Sequence, residues 1–90
     1  MSYEVDPLVS VILSTKNEER NISACLESVL QQSTPPLEII VVDNYSEDKT
    51  TEIAQEYGAK VFQLGPERSA QRNYGVEKAQ GKYILYLDAD

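Results

Sequence analysis

Three short polar clusters hold the side chains best suited to ligand chemistry: Ser14-Thr15-Lys16-Asn17-Glu18, Asp43-Asn44-Tyr45-Ser46 and Asp88-Ala89-Asp90. Carboxylates one residue apart, such as Asp88 and Asp90, suit a hard divalent cation. Mg2+ and Mn2+ take oxygen ligands and often use one or two carboxylates, with water and phosphate completing the shell. On a bending chain, such a pair can reach a cation and a hydroxyl of the same ligand. Each cluster also has a plainer reading, because polar residues behind a strand commonly form turns or cap helices. Asp43 can close an Asx turn, and Asn17 and Ser46 fit either role. Other chemistries are excluded outright. The chain has no His, which removes Ser-His and Cys-His nucleophiles and His-containing zinc sites. It has neither Gly-x-Gly-x-x-Gly nor Gly-x-x-x-x-Gly-Lys, so no glycine-rich loop is available to cradle phosphate.

The elements that must position these clusters follow from the apolar pattern. Apolar runs fall at residues 9–13, 37–42, 59–64 and 83–87. The second is nearly continuous and β-branched, as in a strand covered on both faces. The fourth is similar with aromatics added, and the third alternates partially, as nearer an edge. Ile22, Cys25, Leu26, Val29 and Leu30 repeat at helical spacing, with Asn21 as the N-cap. Pro35-Pro36 leads into the second strand. A second helix is predicted to start near Ser46 as N-cap, with Ile53, Ala54 and Tyr57 inward and Gly58 as its left-handed cap. A third is predicted over 67–79, stopped by Gly81. Alternating strands and helices imply an α/β fold with right-handed crossovers and a mainly parallel sheet of about four strands. The order 3-2-1-4 is expected by analogy with doubly wound sheets, whose ligands bind outside the carboxyl ends of the strands. All three polar clusters would lie at that end.

Composition narrows the partners. Ninety residues fit one domain, with 41% hydrophobic and 26% charged residues. Fifteen acidic against eight basic residues give a formal charge of −7, which argues against nucleic acid, whose binding relies on Lys and Arg. A divalent cation can still bridge such a surface to a diphosphate. One cysteine, Cys25, allows no intrachain disulfide. The start of the chain lacks a signal pattern, and no segment approaches the roughly 20 apolar residues of a membrane span. A cytoplasmic location is expected, with membrane association left open for a longer form. The two sequons, at Asn21 and Asn44, are read as chance matches.

Taken in order, Val9-Ser10-Val11-Ile12-Leu13-Ser14-Thr15-Lys16-Asn17-Glu18-Glu19, Cys25-Leu26-Glu27-Ser28-Val29-Leu30-Gln31-Gln32 and Glu38-Ile39-Ile40-Val41-Val42-Asp43 resemble family 2 glycosyltransferases of the GT-A fold. So do Ser46, Asp48 and Thr50, then Ala70-Gln71-Arg72-Asn73-Tyr74-Gly75, and the run from Ala79 to Asp90. The resemblance covers the chain from Leu8 onward. It implies a tail over 1–7 and, over 8–90, the Rossmann-like, nucleotide-sugar-binding half of a GT-A domain. It further implies inverting, metal-dependent transfer from a nucleotide-diphosphate donor, a UDP-sugar above all, to an acceptor hydroxyl. Thr15, Asn17 and Glu18 would border the nucleoside pocket, Asp43 would accept a hydrogen bond from the base, and Arg72 would face the nucleotide. Asp88 would approach the ribose or sugar, and Asp90, with Asp88, would bind Mn2+ or Mg2+. The general base and the acceptor-binding half would follow Asp90. The sequence departs from the family pattern at Asn44 and Tyr45, where a second Asp and a Gly are frequent; this bears on nucleobase preference. A sheet edge left open at the fourth strand would favour a homodimer. The alternatives are a non-catalytic nucleotide-binding or interaction module on the same half-fold, a nucleotidyltransferase and a receiver-like domain. The loop after strand one lacks the glycine- and basic-rich phosphate loop expected of the second, and the late lysine expected of the third is missing.

Overall fold

A computed structural model describes residues 8–88. Four strands alternate with three helices: β1 Val9–Thr15, α1 Ile22–Leu30, β2 Glu38–Asp43, α2 Thr50–Glu56, β3 Lys60–Gln63, α3 Arg68–Lys78 and β4 Tyr83–Asp88. All strand pairings are parallel and the order is β3-β2-β1-β4, the doubly wound arrangement expected. Register sets the geometry of the carboxyl end: Thr15 lies opposite Asp43, and Ser14 opposite Val42 and Asp88.

Side chains alternate across the sheet, so each strand serves two cores. On one face Val11, Leu13, Ile39 and Val41 pack against Ile22, Leu26 and Val29 of α1 and Ala54 of α2. On the other Ile12, Ile40 and Val42 pack with Phe62, Ile84 and Tyr74 of α3. β2 is buried along its whole length, which explains its unbroken apolar run. The α3 face is closed by a tight approach: a Cβ on Gly75 would fall 2.7 Å from Ile12 Cγ2.

Three local expectations are corrected. α2 begins at Thr50 rather than beside Ser46, because the Ser46 hydroxyl is drawn into the Asp43 cluster and Asp48 instead accepts the Thr50 N–H at 3.0 Å. Asn21 precedes α1 but makes no side-chain cap bond. α3, Arg68–Lys78 with Glu67 and Ala79 as its flanking caps, agrees with the expected 67–79, and Gly81 is small because a Cβ there would lie 2.6 Å from the Leu8 carbonyl oxygen. Finally, β4 is not covered on both faces. Among the described residues it pairs only with β1, and Tyr83, Leu85 and Tyr86 are exposed. Gly58, by contrast, takes the predicted left-handed φ, at +86°. The segment 1–7 lies outside the described residues.

Candidate functional site at the carboxyl end of the sheet

At the β2 end, Asp43 is fully buried and acts as a hub. Its Oδ1 accepts the hydroxyls of Thr15 and Ser46, both at 2.6 Å, and its Oδ2 accepts the Ser46 N–H at 2.7 Å. The carboxylate lies beneath the rim, and the chain itself takes three of its roughly four acceptor positions.

The loops behind β1 and β2 are laced together above that hub. The Asn17 N–H donates to Ser46 Oγ at 2.7 Å, and Asn17 Oδ1 accepts the Glu47 N–H at 2.8 Å. Asn17 does so from a left-handed φ of 54°, a region Asn tolerates better than most residues. The Glu18 N–H donates to Thr50 Oγ1 at 2.8 Å, and the Glu18 carbonyl accepts from Asn21 and Ile22 at the start of α1. Asp48 accepts from the Glu19 and Thr50 N–H groups and from the Thr50 hydroxyl. Desolvation opposes ionisation of Asp48, but these bonds outweigh it and hold its pKa below the ordinary carboxylate value. Of the predicted nucleoside-pocket residues, Thr15 is buried, Asn17 is exposed and Glu18 is half-buried.

The β4 side of the same end is built by α3. Asp88 Oδ1 pairs with Arg68 Nη1 at 3.2 Å, and both side chains are about half exposed. The Arg72 guanidinium lies 5.5 Å from the Tyr86 ring centre, a cation–π placement. The Cys25 thiol donates to the Asp88 carbonyl at 3.8 Å, and burial, then the charges of Asp88 and Glu18, push its pKa up. Asp43 and Asp88 therefore share the sheet's carboxyl end, two strands or roughly 10 Å apart. They sit on opposite faces, because Asp43 continues the Ile39–Val41 parity and Asp88 that of Ile84.

Asp90 lies outside the described residues, so its predicted metal role has no geometry here. Among the described residues no group of three His, Cys, Asp or Glu side chains is gathered into a metal cage. Asp88 alone still fits a phosphate-bridged Mg2+ or Mn2+ site, since it is a partly exposed hard oxygen donor with only one oxygen in its ion pair.

Two contributors escape sequence reading. Gln71 of α3 is buried and donates to the carbonyls of Val42, at 2.7 Å, and Thr15, at 3.3 Å, closing off the last peptides of β1 and β2. Gln71 lies within the Ala70–Gly75 motif, but the motif by itself assigns it no partner. Arg68 carried no motif, and only the packing of α3 beside β4 brings it to Asp88. A groove of about 470 Å³ lies elsewhere: Leu8, Val29, Pro35, Pro36, Leu85 and Leu87 help line it on the α1 side of β4.

Comparison with known proteins agrees with this architecture. The chain is 39% identical over 93 residues to the glycosyltransferase AglE of Haloferax volcanii, covering 93% of this chain and 31% of AglE. Among solved structures, S. aureus TarS (residues 1–349) is similar with a TM-score of 0.83 and 34% identity, over 91% of this chain and 27% of that one. Glucosyl-3-phosphoglycerate synthase from Mycobacterium tuberculosis, crystallised with Mn2+, UDP and glucosyl-3-phosphoglycerate, shares the fold with a TM-score of 0.81 and 24% identity, over 94% of this chain and 34% of that one. The chain thus spans roughly a third of each of these three proteins. Its sheet is that of the GT-A glycosyltransferases. The profile of Glycosyl transferase family 2 matches residues 10–90, and the chain belongs to that family.

Proposed function

We propose that this chain forms the donor-binding part of an inverting glycosyltransferase that uses a nucleotide-diphosphate sugar, with a UDP-sugar the first candidate, and a divalent cation. The observation that carries the reading is positional. The loops after β1 and β2, the end of β4 and the two arginines of α3 meet at the carboxyl end of one parallel sheet, where α/β folds take their ligands. Family membership and the Mn2+–UDP complex of a protein with the same fold support the ligand class.

In this reading Thr15, Asn17 and Glu18 border the nucleoside. Asp43 contributes by holding Thr15 and Ser46 in place rather than by touching the base. Arg68 and Arg72 supply positive charge near the diphosphate in an otherwise acidic chain. Asp88, with Asp90, would hold Mn2+ or Mg2+, which when bound supplies the charge that stabilises a departing diphosphate. The acceptor hydroxyl forms the new bond to the anomeric carbon as the bond to the diphosphate oxygen breaks. Its proton passes to a carboxylate base, and no residue of this chain is assigned that role. The acceptor and a homodimer through β4 belong to the same proposal.

The test is a thermal-shift series with UDP, GDP, dTDP and CDP, each with Mn2+, Mg2+ or chelator. A ligand bound only by the folded state raises stability by mass action. The expected result is a rise of several degrees with one nucleotide that needs the cation and is lost in Asp88→Asn, an exposed change that leaves both cores intact. No response to any nucleotide would remove the proposal and leave the family and the fold.

A further inference from the structure

Tyr45 holds a conformation that its side chain disfavours, for no gain in packing. Its φ is +48°, in the left-handed region that bulky residues rarely enter, and its side chain joins neither apolar cluster. The residue is 61% exposed. Its backbone is nonetheless fixed from two sides: the N–H donates to Gln63 Oε1 at 2.8 Å, and the carbonyl accepts from Lys16 Nζ at 3.2 Å. The residue is thus tied between the ends of β1 and β3, two positions beyond the Asp43 hub. Glycine suits this turn, and stability alone would select it. An aromatic ring held here against conformational preference, and left facing solvent at a ligand-binding rim, fits a residue kept for contact with a ligand.

We propose that Tyr45 is the stacking platform for the donor's nucleobase, an inference that rests on the nucleotide reading of this site. Every base offers a π face, so an exposed tyrosine captures it without needing a free hydrogen-bond partner. This answers a difficulty at the β2 end, where Asp43 is buried and already accepts three hydrogen bonds from the chain itself. The platform belongs to the β2–β3 side of the rim, and Arg68, Arg72 and Asp88 belong to the β4 side. A base placed on the first leaves the second for the diphosphate.

Titration calorimetry of the 90-residue chain with the nucleotide selected above and with inorganic pyrophosphate, each with Mn2+, tests the idea in wild type, Tyr45→Phe, Tyr45→Leu and Tyr45→Gly. Tyr45→Leu and Tyr45→Gly should weaken nucleotide binding about tenfold while pyrophosphate binding stays within twofold. Tyr45→Phe, which keeps the π face, should bind nucleotide nearly as wild type does. Tyr45→Gly should melt no lower than wild type, showing that lost affinity is not lost folding. Unchanged nucleotide affinity in Tyr45→Leu and Tyr45→Gly overturns the platform alone. An equal loss for pyrophosphate overturns it too, because the residue would then act through loop shape. Wild type that binds none of the four nucleotides overturns both this inference and the reading beneath it.

Discussion

At the residue scale, the polar groups of the rim are spent mostly on one another. Asp43 takes three hydrogen bonds from Thr15 and Ser46 with no solvent contact, and Asn17 and Asp48 tie two loops that would otherwise move independently. Removing a buried acceptor strands its donors, which costs more than the bonds contributed. Asp43→Ala should therefore destabilise the domain by about 3 kcal/mol, a fall of roughly 10–20 °C in Tm for a domain of this size. Calorimetric melting checks this, and a Tm within a few degrees of wild type would show that the hub is dispensable. Asp43 was legible as a site residue because it follows a β-branched strand. Its burial was not, because that depends on Thr15 closing over it from a strand 28 residues away in sequence, and only the Ser46 contact is local.

At the element scale, the opposite end of the sheet has its own polar fastening. Glu38, the buried first residue of β2, accepts the Ser10 hydroxyl and the Gln80 N–H, both at 2.6 Å, and Lys60 Nζ at 2.9 Å. Ser10 in turn accepts the Gly81 N–H at 2.8 Å. One carboxylate thus joins β1, β2, β3 and the connection from α3 to β4. Burial pushes its pKa up, but the bonds from Gln80, Ser10 and Lys60 and the Lys60 charge more than offset this, bringing it from 4.5 down to about 2. A carboxyl depressed on folding contributes stability that is complete above its unfolded value and is lost as pH falls through the folded one. Urea midpoints should therefore decline between about pH 4.5 and pH 2, and Glu38→Gln should flatten that decline while lowering stability at pH 7 by about 2 kcal/mol. A Glu38→Gln variant with the wild-type pH profile would exclude this residue as the source. Helix placement has an equally local control. Gly75→Ala must push a branched Ile12 methyl that has nowhere to turn, and should cost about 1–3 kcal/mol despite alanine's better helix propensity. Denaturant unfolding would show a gain instead if α3 simply rides outward.

At the scale of the whole molecule, the sheet is closed unevenly. α1 and α2 cover one face and α3 the other, yet β4 presents exposed Tyr83, Leu85 and Tyr86. Among the described residues its outer edge is unpaired, and no charge interrupts the segment from Tyr83 to Leu87. An uncharged open edge lacks the usual protection against pairing with another strand. We expect the isolated chain to self-associate through β4, seen as a dimer or larger species by light scattering, and Leu85→Lys to shift it toward monomer. A monodisperse wild-type monomer at high concentration would refute this. The same unevenness accounts for the misreading of the fourth run. Its composition resembles that of a two-sided strand, but composition records what a strand is suited to contact and not what stands beside it.

Much of the architecture was determined by the sequence alone, because periodicity is a local property. Unbroken apolar runs and the Ile22–Leu30 spacing named the elements, and strict alternation of strand and helix required a parallel sheet with its polar clusters at one end. The ordered motifs likewise placed the chain in its family. Tertiary structure decided what depends on distance through space. It set Asp43 beneath the rim and Asp88 on the opposite face, brought Arg68 to Asp88 and Gln71 over the ends of β1 and β2, and moved the start of α2 by giving Ser46 a stronger partner than the helix. A polar side chain's partner is fixed by which strands lie side by side and on which face. One step of register would exchange those faces.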